Sequence, residues 1–246
     1  MKHTFKMLLA LMAVLFAAVM SGCAAMQVGI SKRDLDVQTK MSNTIFLDPV
    51  AADKRTVYIQ ARNTSDKPGF TIDQGLKQAV AAKGYRLVND PGQAHYLLQV
   101  NILQVGKTDQ SASEAAFRAG YGGVLAGAAV GGLTSNNSGR GVVAGGLLGG
   151  IAETVAGAMV KDVYYSAITD IQISERMEGG KTAKVTSEHK LAQGTSGAAT
   201  VSTSGTSNRQ RYQTRVLSSA NKVNLEFAEA EPELIKGLTT AISGMF

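Results

Sequence analysis

Several residues stand at spacings that chemistry uses, and each can be weighed by what that chemistry requires. Gly106-Lys107-Thr108 and Gly180-Lys181-Thr182 both end like a phosphate-cradling loop. Such a loop needs a glycine five residues ahead of its Gly-Lys pair, where the backbone must turn its N–H groups toward the phosphate. Those positions hold Asn101 and Glu175. Gly139-Arg140-Gly141-Val142-Val143-Ala144 spells a dinucleotide pattern but follows a polar turn, not a strand. Ser187 and Lys190 make a Ser-x-x-Lys pair without the companion signatures of acyl-serine enzymes. The three histidines, His3, His95 and His189, are far apart, and no paired carboxylates stand out. The sequence therefore supports no enzyme, no metal centre and no dissociable cofactor.

The single cysteine is different. Lys2 and Lys6 precede an unbroken apolar run at residues 7–20, and Ser21-Gly22-Cys23 follows. A positive start, an apolar stretch and small residues make a bacterial secretory signal. The run is short of the roughly 20 residues of a membrane span, which is the competing reading. A lone Cys directly after the small residues resembles a lipobox, with Met20 where leucine is usual. Cys23 would then carry diacylglycerol on its thiol and an acyl chain on the new amino group, enough for stable anchoring to lipid. Ala24, not aspartate, follows, as in lipoproteins exported to the outer membrane. Removing residues 1–22 takes two lysines and lowers the formal charge of +6 to +4. Lys32-Arg33 and Arg209 with Arg211 are short basic clusters without interleaved aromatics, so no nucleic-acid partner is expected.

The remaining chain reads as alternating strands and helices. Residues 43–47 and 56–61 are strand-like, and Asp66-Lys67-Pro68-Gly69 is a turn. Thr71 with Gln74 spells a capping box; Ile72, Leu76, Ala79 and Val80 share a helical face, and Gly84 fits the C′ position. Residues 85–88 and 95–105 read as strands separated by Asp90-Pro91-Gly92. Residues 163–177 form a long strand, turned back at 178–181 to pair with 182–191; 194–208 is a Ser/Thr/Gly-rich loop and 212–225 another strand. Glu231-Pro232-Glu233 opens the last helix with Pro at N1, and Leu234, Leu238, Ile242 and Met245 form its apolar face.

Between these parts lies a segment of another kind. Of the 27 glycines, 13 lie between Gly120 and Gly157. Residues 111–118 look helical and lead into 119–133, which carries no charge; 141–160 carries only Glu153. The polar tip between them is Thr134, Ser135, Asn136, Asn137, Ser138, Gly139 and Arg140. Glycines recur every fourth residue at Gly123, Gly127 and Gly131, then at Gly141, Gly145 and Gly149. In water each would cost a helix about 0.8–1 kcal/mol. In lipid the backbone must satisfy itself, and small residues at this spacing let helices approach closely. A membrane-inserted helical hairpin is the leading reading; a buried hairpin in a soluble oligomer and a flexible linker are the others. Glu153 facing lipid would be costly, so the hairpin implies a homo-oligomer in which it faces a shared lumen or sits at its rim.

The fold class that results is α+β: a mixed sheet with packed helices, interrupted by a glycine-rich hydrophobic helical hairpin that inserts in the outer membrane. The expected division is 1–22 signal, 23–110 first part of the α/β domain, 111–160 hairpin and 161–246 second part. The signal through Cys23, residues 51–90, and the run 119–160 through Asp170 together resemble the TraT family of plasmid-encoded outer-membrane lipoproteins. The resemblance implies surface exclusion, by which a plasmid-bearing cell becomes a poor conjugative recipient, and complement resistance. It also implies a surface-exposed oligomer in outer-membrane lipid, with the donor pilus tip or a recipient outer-membrane protein as partner. A pore or secretion-type structural lipoprotein is the alternative.

Overall fold

The computed structural model describes residues 32–123, 125, 161–178, 182–193 and 197–246. Among them are β1 (Asp36–Met41), β2 (Thr56–Asn63), α1 (Asp73–Ala82), β3 (Arg86–Leu87), β4 (Tyr96–Lys107), α2 (Gln110–Arg118), β5 (Asp162–Arg176), β6 (Ala183–Gln193), β7 (Gly197–Ser207), β8 (Arg209–Val223) and α3 (Phe227–Ser243). Six strands form one mixed sheet in the order β1-β8-β5-β4-β2-β3. From β1 to β4 the neighbours are antiparallel; β2 runs parallel to both β4 and β3. Parallel neighbours need a crossover, and α1 supplies it between β2 and β3. The α+β class with a mixed sheet and packed helices is thus the observed one.

One face of the sheet carries the main core. Leu76 and Val80 of α1 and Leu234, Leu238 and Ile242 of α3 are fully buried, and Met245 is nearly so. They meet Val57, Leu98, Val100, Ile171, Ile173 and Val216 from the strands. Each such side chain contributes about 1.5–3 kcal/mol by leaving water. In β4 the residues facing this core are even-numbered up to Ile102; a register shift between Ile102 and Gln104 then brings Val105 inward. A one-residue bulge has this effect because side-chain direction alternates with period two. Among the described residues the opposite face is covered in part by α2, where Ala116 packs on Ile168 and Leu217.

Several local expectations are corrected. Residues 43–47 are not a strand. The strand is β1, just before them; after Ser42 the chain peels away, and the Asn43 N–H goes to the Thr214 hydroxyl instead of the ladder. Thr71 does not cap α1, whose N-cap is Ile72 without a side-chain bond. Phe70 and Ile72 are both drawn into the core, which leaves Thr71 exposed between them. Helix α3 begins at Phe227, so Pro232 lies inside it rather than at N1. The missing proline N–H is outweighed by burial of Ala230 and by Phe227 packing 5.5 Å from Tyr165. Gly84 is at C′ as expected, with φ +86°.

The largest correction concerns residues 178–208. They are not a hairpin back onto β5 followed by a loop. β5 pairs with β4 and β8, while β6 pairs with β7 from Ala183↔Ser207 to Gln193↔Gly197. The Met177 N–H bonds the Asn208 carbonyl, linking the β5–β8 ladder to that second ribbon. Residues 197–207 have strand pairing although their Ser/Thr/Gly composition reads as a loop. Backbone hydrogen bonds supplied by β6 override a weak local preference.

Candidate functional site

The chain enters the glycine-rich segment through a built junction on the second face of the sheet. Asp109 caps α2 by accepting from the N–H groups of Ser111 (2.8 Å) and Ala112 (3.2 Å). The Ser111 hydroxyl and these amides hold the Asp109 carboxyl below its usual range. The Thr108, Ser113 and Ser166 hydroxyls form a buried chain at 2.7 and 3.0 Å that fastens α2 to β5. After α2 the backbone turns sharply, with Gly120 at φ +70° and Gly122 at φ +69°. Side chains with a Cβ avoid that region, so these two positions call for glycine.

Arg215 organises the turn. Its guanidinium is 1% exposed and grips Asp170 at two points, Nε to Oδ1 at 2.6 Å and Nη2 to Oδ2 at 3.0 Å. Nη1 donates to the Ala116 carbonyl at 2.7 Å, and Nη2 also to the Gly123 carbonyl at 3.0 Å. Asp170 in turn accepts from the Gly122 N–H at 2.8 Å. The cation thus sits at the carbonyl end of α2, where the helix dipole favours positive charge. Every guanidinium nitrogen and both carboxylate oxygens have a hydrogen-bond partner, the condition under which a buried charge pair is tolerable. Its consequence is to hold residues 119–123, the start of the uncharged segment, against the sheet, and Leu125 packs on the Ala116, Ile168 and Leu217 cluster beside it.

Beside this clamp the same face is open and polar. Three rows of residues cross β2, β4, β5 and β8 in register. The middle row is all glutamine: Gln60, Gln99, Gln172 and Gln213. Gln99 donates to Gln60 (2.9 Å), Gln172 to Gln99 (2.9 Å), and Gln213 to Gln172 (2.7 Å). One flanking row is Arg62, Asn101, Asp170 and Arg215; the other is Tyr58, Leu97, Ser174 and Arg211. Tyr121 stands at the border, 38% exposed, its hydroxyl pushed up in pKa by burial. A cavity of about 260 Å³ opens between Tyr121 and the ladder.

A second polar cluster lies where the β5–β8 ladder meets the ribbon. Glu175 accepts from the hydroxyls of Tyr96 (3.2 Å) and Tyr212 (3.1 Å). Burial and the Glu175 charge push Tyr212 up to about 12 and raise Tyr96 as well. His95 is 7% exposed, and its Nε2 lies 3.7 Å from Glu175 Oε1 without a hydrogen bond. It is thus a buried but incompletely satisfied histidine. Arg209, at the start of β8, reaches to the carbonyls of Ala94 (2.8 Å) and His95 (3.0 Å). No group of three or more metal-ligating side chains occurs among the described residues.

Of the site residues expected from sequence, only Gly123 is described. Its carbonyl serves the Arg215 clamp, and an added Cβ would lie 2.3 Å from the Ala119 carbonyl oxygen. Cys23, Gly127, Gly131, the tip Thr134 to Arg140, Gly141, Gly145, Gly149 and Glu153 lie outside the described residues. Among the described residues no helix is long and apolar enough to cross a membrane. Arg215, Asp170 and the glutamine row went unread in the sequence. No spacing signals them, because their partners come from separate strands and only register aligns them.

Residues 34–246 match the family described as Enterobacterial TraT complement resistance protein. A TraT complement resistance protein of Escherichia coli is 44% identical over 231 residues, 92% of this chain and 93% of the relative. Another from Escherichia coli is 43% identical over 251 residues and spans the whole of both chains. One from Wigglesworthia glossinidia brevipalpis is 28% identical over 226 residues, 92% of this chain and 90% of its own.

Proposed function

The chain belongs to the TraT complement resistance protein family, and from that premise we propose that it is an outer-membrane lipoprotein acting in complement resistance and surface exclusion. Cys23 is the acylated residue in this reading. Residues 119–160 form the membrane hairpin, with Gly127, Gly131, Gly141, Gly145 and Gly149 packing between copies and Glu153 kept from lipid by the oligomer. The polar tip from Thr134 to Arg140 is the surface that meets a donor cell, through its pilus tip or a recipient outer-membrane protein.

The observation that carries this reading is the Arg215 clamp. A mobile linker needs no anchor, yet here a buried guanidinium holds the carbonyls of Ala116 and Gly123 where the uncharged run begins. Such a root transmits a fixed exit direction to the segment that follows. The sheet then serves as a platform holding many hairpins in one orientation.

Single cysteines at Asn136 and Ser204, labelled on whole cells with an impermeant maleimide, test the arrangement. Labelling at 136 alone is the expected result and places the tip outside. Labelling at 204 alone would put the β6–β7 ribbon outside instead and refute the tip as contact surface. Serum survival and mating frequency, measured on the same cells, tie the topology to activity.

A further inference from the structure

The glutamine row has no role in the junction or the core, and its chemistry points to a ligand. Each amide offers two N–H donors and two acceptor lone pairs. Gln99 and Gln172 each use one donor and one lone pair within the row. Each therefore keeps one donor and one acceptor for a partner. The strands repeat these amides every 4.7–4.9 Å or so, close to the step between rings of an extended saccharide chain. A hydroxyl group is both donor and acceptor, so a polyol matches such a row at every step. A peptide strand is a poorer match, because its backbone groups pair at sheet edges and not on sheet faces.

Charge narrows the class. Asp170 is the only carboxylate in the three rows and is already held by Arg215. Arg62 and Arg211 stand at opposite corners of the face, both exposed, and neither forms an ion pair among the described residues. The face is thus neutral amide with uncompensated cations at its two ends. Tyr121 adds an apolar ring beside the cavity. Its volume of about 260 Å³ is just under the 300–1,000 Å³ of closed ligand pockets and suits one ring, with the rest of the chain lying across the row. We propose that this face binds an extended oligosaccharide bearing acidic groups, its hydroxyls on the glutamine row and its anions on Arg62 and Arg211.

The test uses the full-length protein in detergent and isothermal titration calorimetry, and it reads nothing from serum or mating assays. The probes are an oligogalacturonate octamer, neutral maltooctaose, and a glutamate octapeptide as a charged non-saccharide. The octamer is expected to bind at least about tenfold more tightly than either control, the factor that 1.4 kcal/mol represents. Arg62→Gln, at an exposed position, is expected to weaken the octamer about tenfold, toward the neutral probe. Tyr121→Ala is expected to weaken both saccharides and leave the peptide unchanged. No octamer binding at millimolar concentration would overturn the proposal. So would equal binding of the glutamate peptide, or unchanged octamer affinity in Arg62→Gln with a circular dichroism spectrum like the parent's.

Discussion

Removing the carboxylate of Asp170 should cost more than removing the whole ion pair. In the Asp170→Ala protein, Arg215 remains 1% exposed but loses two of its four acceptors, those at 2.6 and 3.0 Å. Breaking one partner of a buried pair typically costs about 3–5 kcal/mol, because the other charge is left unmatched. The carbonyls of Ala116 and Gly123 still solvate the guanidinium, which argues for the lower half of that range. Against a total stability of about 5–15 kcal/mol this is a large share. With a urea slope near 2 kcal/mol/M, the midpoint should fall by roughly 1.5–2 M. The double variant Asp170→Ala/Arg215→Met removes the stranded charge and leaves two carbonyls short of a donor and the Gly122 N–H short of its acceptor. It should recover at least half of the single variant's loss. Far-UV circular dichroism in a urea series on the detergent-solubilised protein gives all three midpoints. Limited proteolysis at residues 119–123 reports whether the junction has loosened. A drop of less than about 0.5 M in Asp170→Ala, or a double variant at least as unstable, would refute the clamp.

Other outcomes follow from single contacts. Gly122→Ala places a Cβ at φ +69° and should cost about 1–2 kcal/mol, measured by the same urea series. Gly237→Ala drives a Cβ to 2.4 Å from Thr39 Oγ1 and 2.6 Å from Ser218 Oγ, so α3 must lift from β1 and β8; thermal unfolding should register about 1–3 kcal/mol. The Asp109 carboxyl is held low by Ser111, so its share of stability is present above the ordinary aspartate range and lost as pH falls through the depressed value. Asp109→Ala should flatten that acid limb and cost about 0.5–2 kcal/mol at neutral pH. Tyr212 has the opposite sign. Its raised pKa keeps it protonated when unfolded tyrosines ionise, so stability falls between about 10 and about 12. Tyr212→Phe should shift that alkaline limb, followed by tyrosinate absorbance.

How much of this was legible beforehand depends on the range of the interactions involved. The apolar faces of α1 and α3 follow from 3.6-residue periodicity, and Leu76, Val80, Leu234, Leu238 and Ile242 are where that period puts them. The strands expected at 56–61, 163–177 and 212–225 are likewise local, because runs of β-branched and apolar residues report their own half-buried surface. The glycine at C′ of α1 is a local steric fact. Strand partners are not local. The sequence suggests that 182–191 folds back on the strand before it, since a Gly-Gly turn favours the nearest neighbour. The tertiary structure instead gives β5 to β8 and leaves β6 to β7. Nothing near Arg215 marks it as buried; as a string it is one more cation after Arg209 and Arg211. It is buried because β5 and β8 pair in the register that sets Asp170 against it. The four glutamines lie at 60, 99, 172 and 213, with unremarkable neighbours, and form a row only through three strand registers. Local sequence determined the elements and their apolar faces, because propensity and period act over a few residues. Register, which acts between strands, decided which polar groups meet.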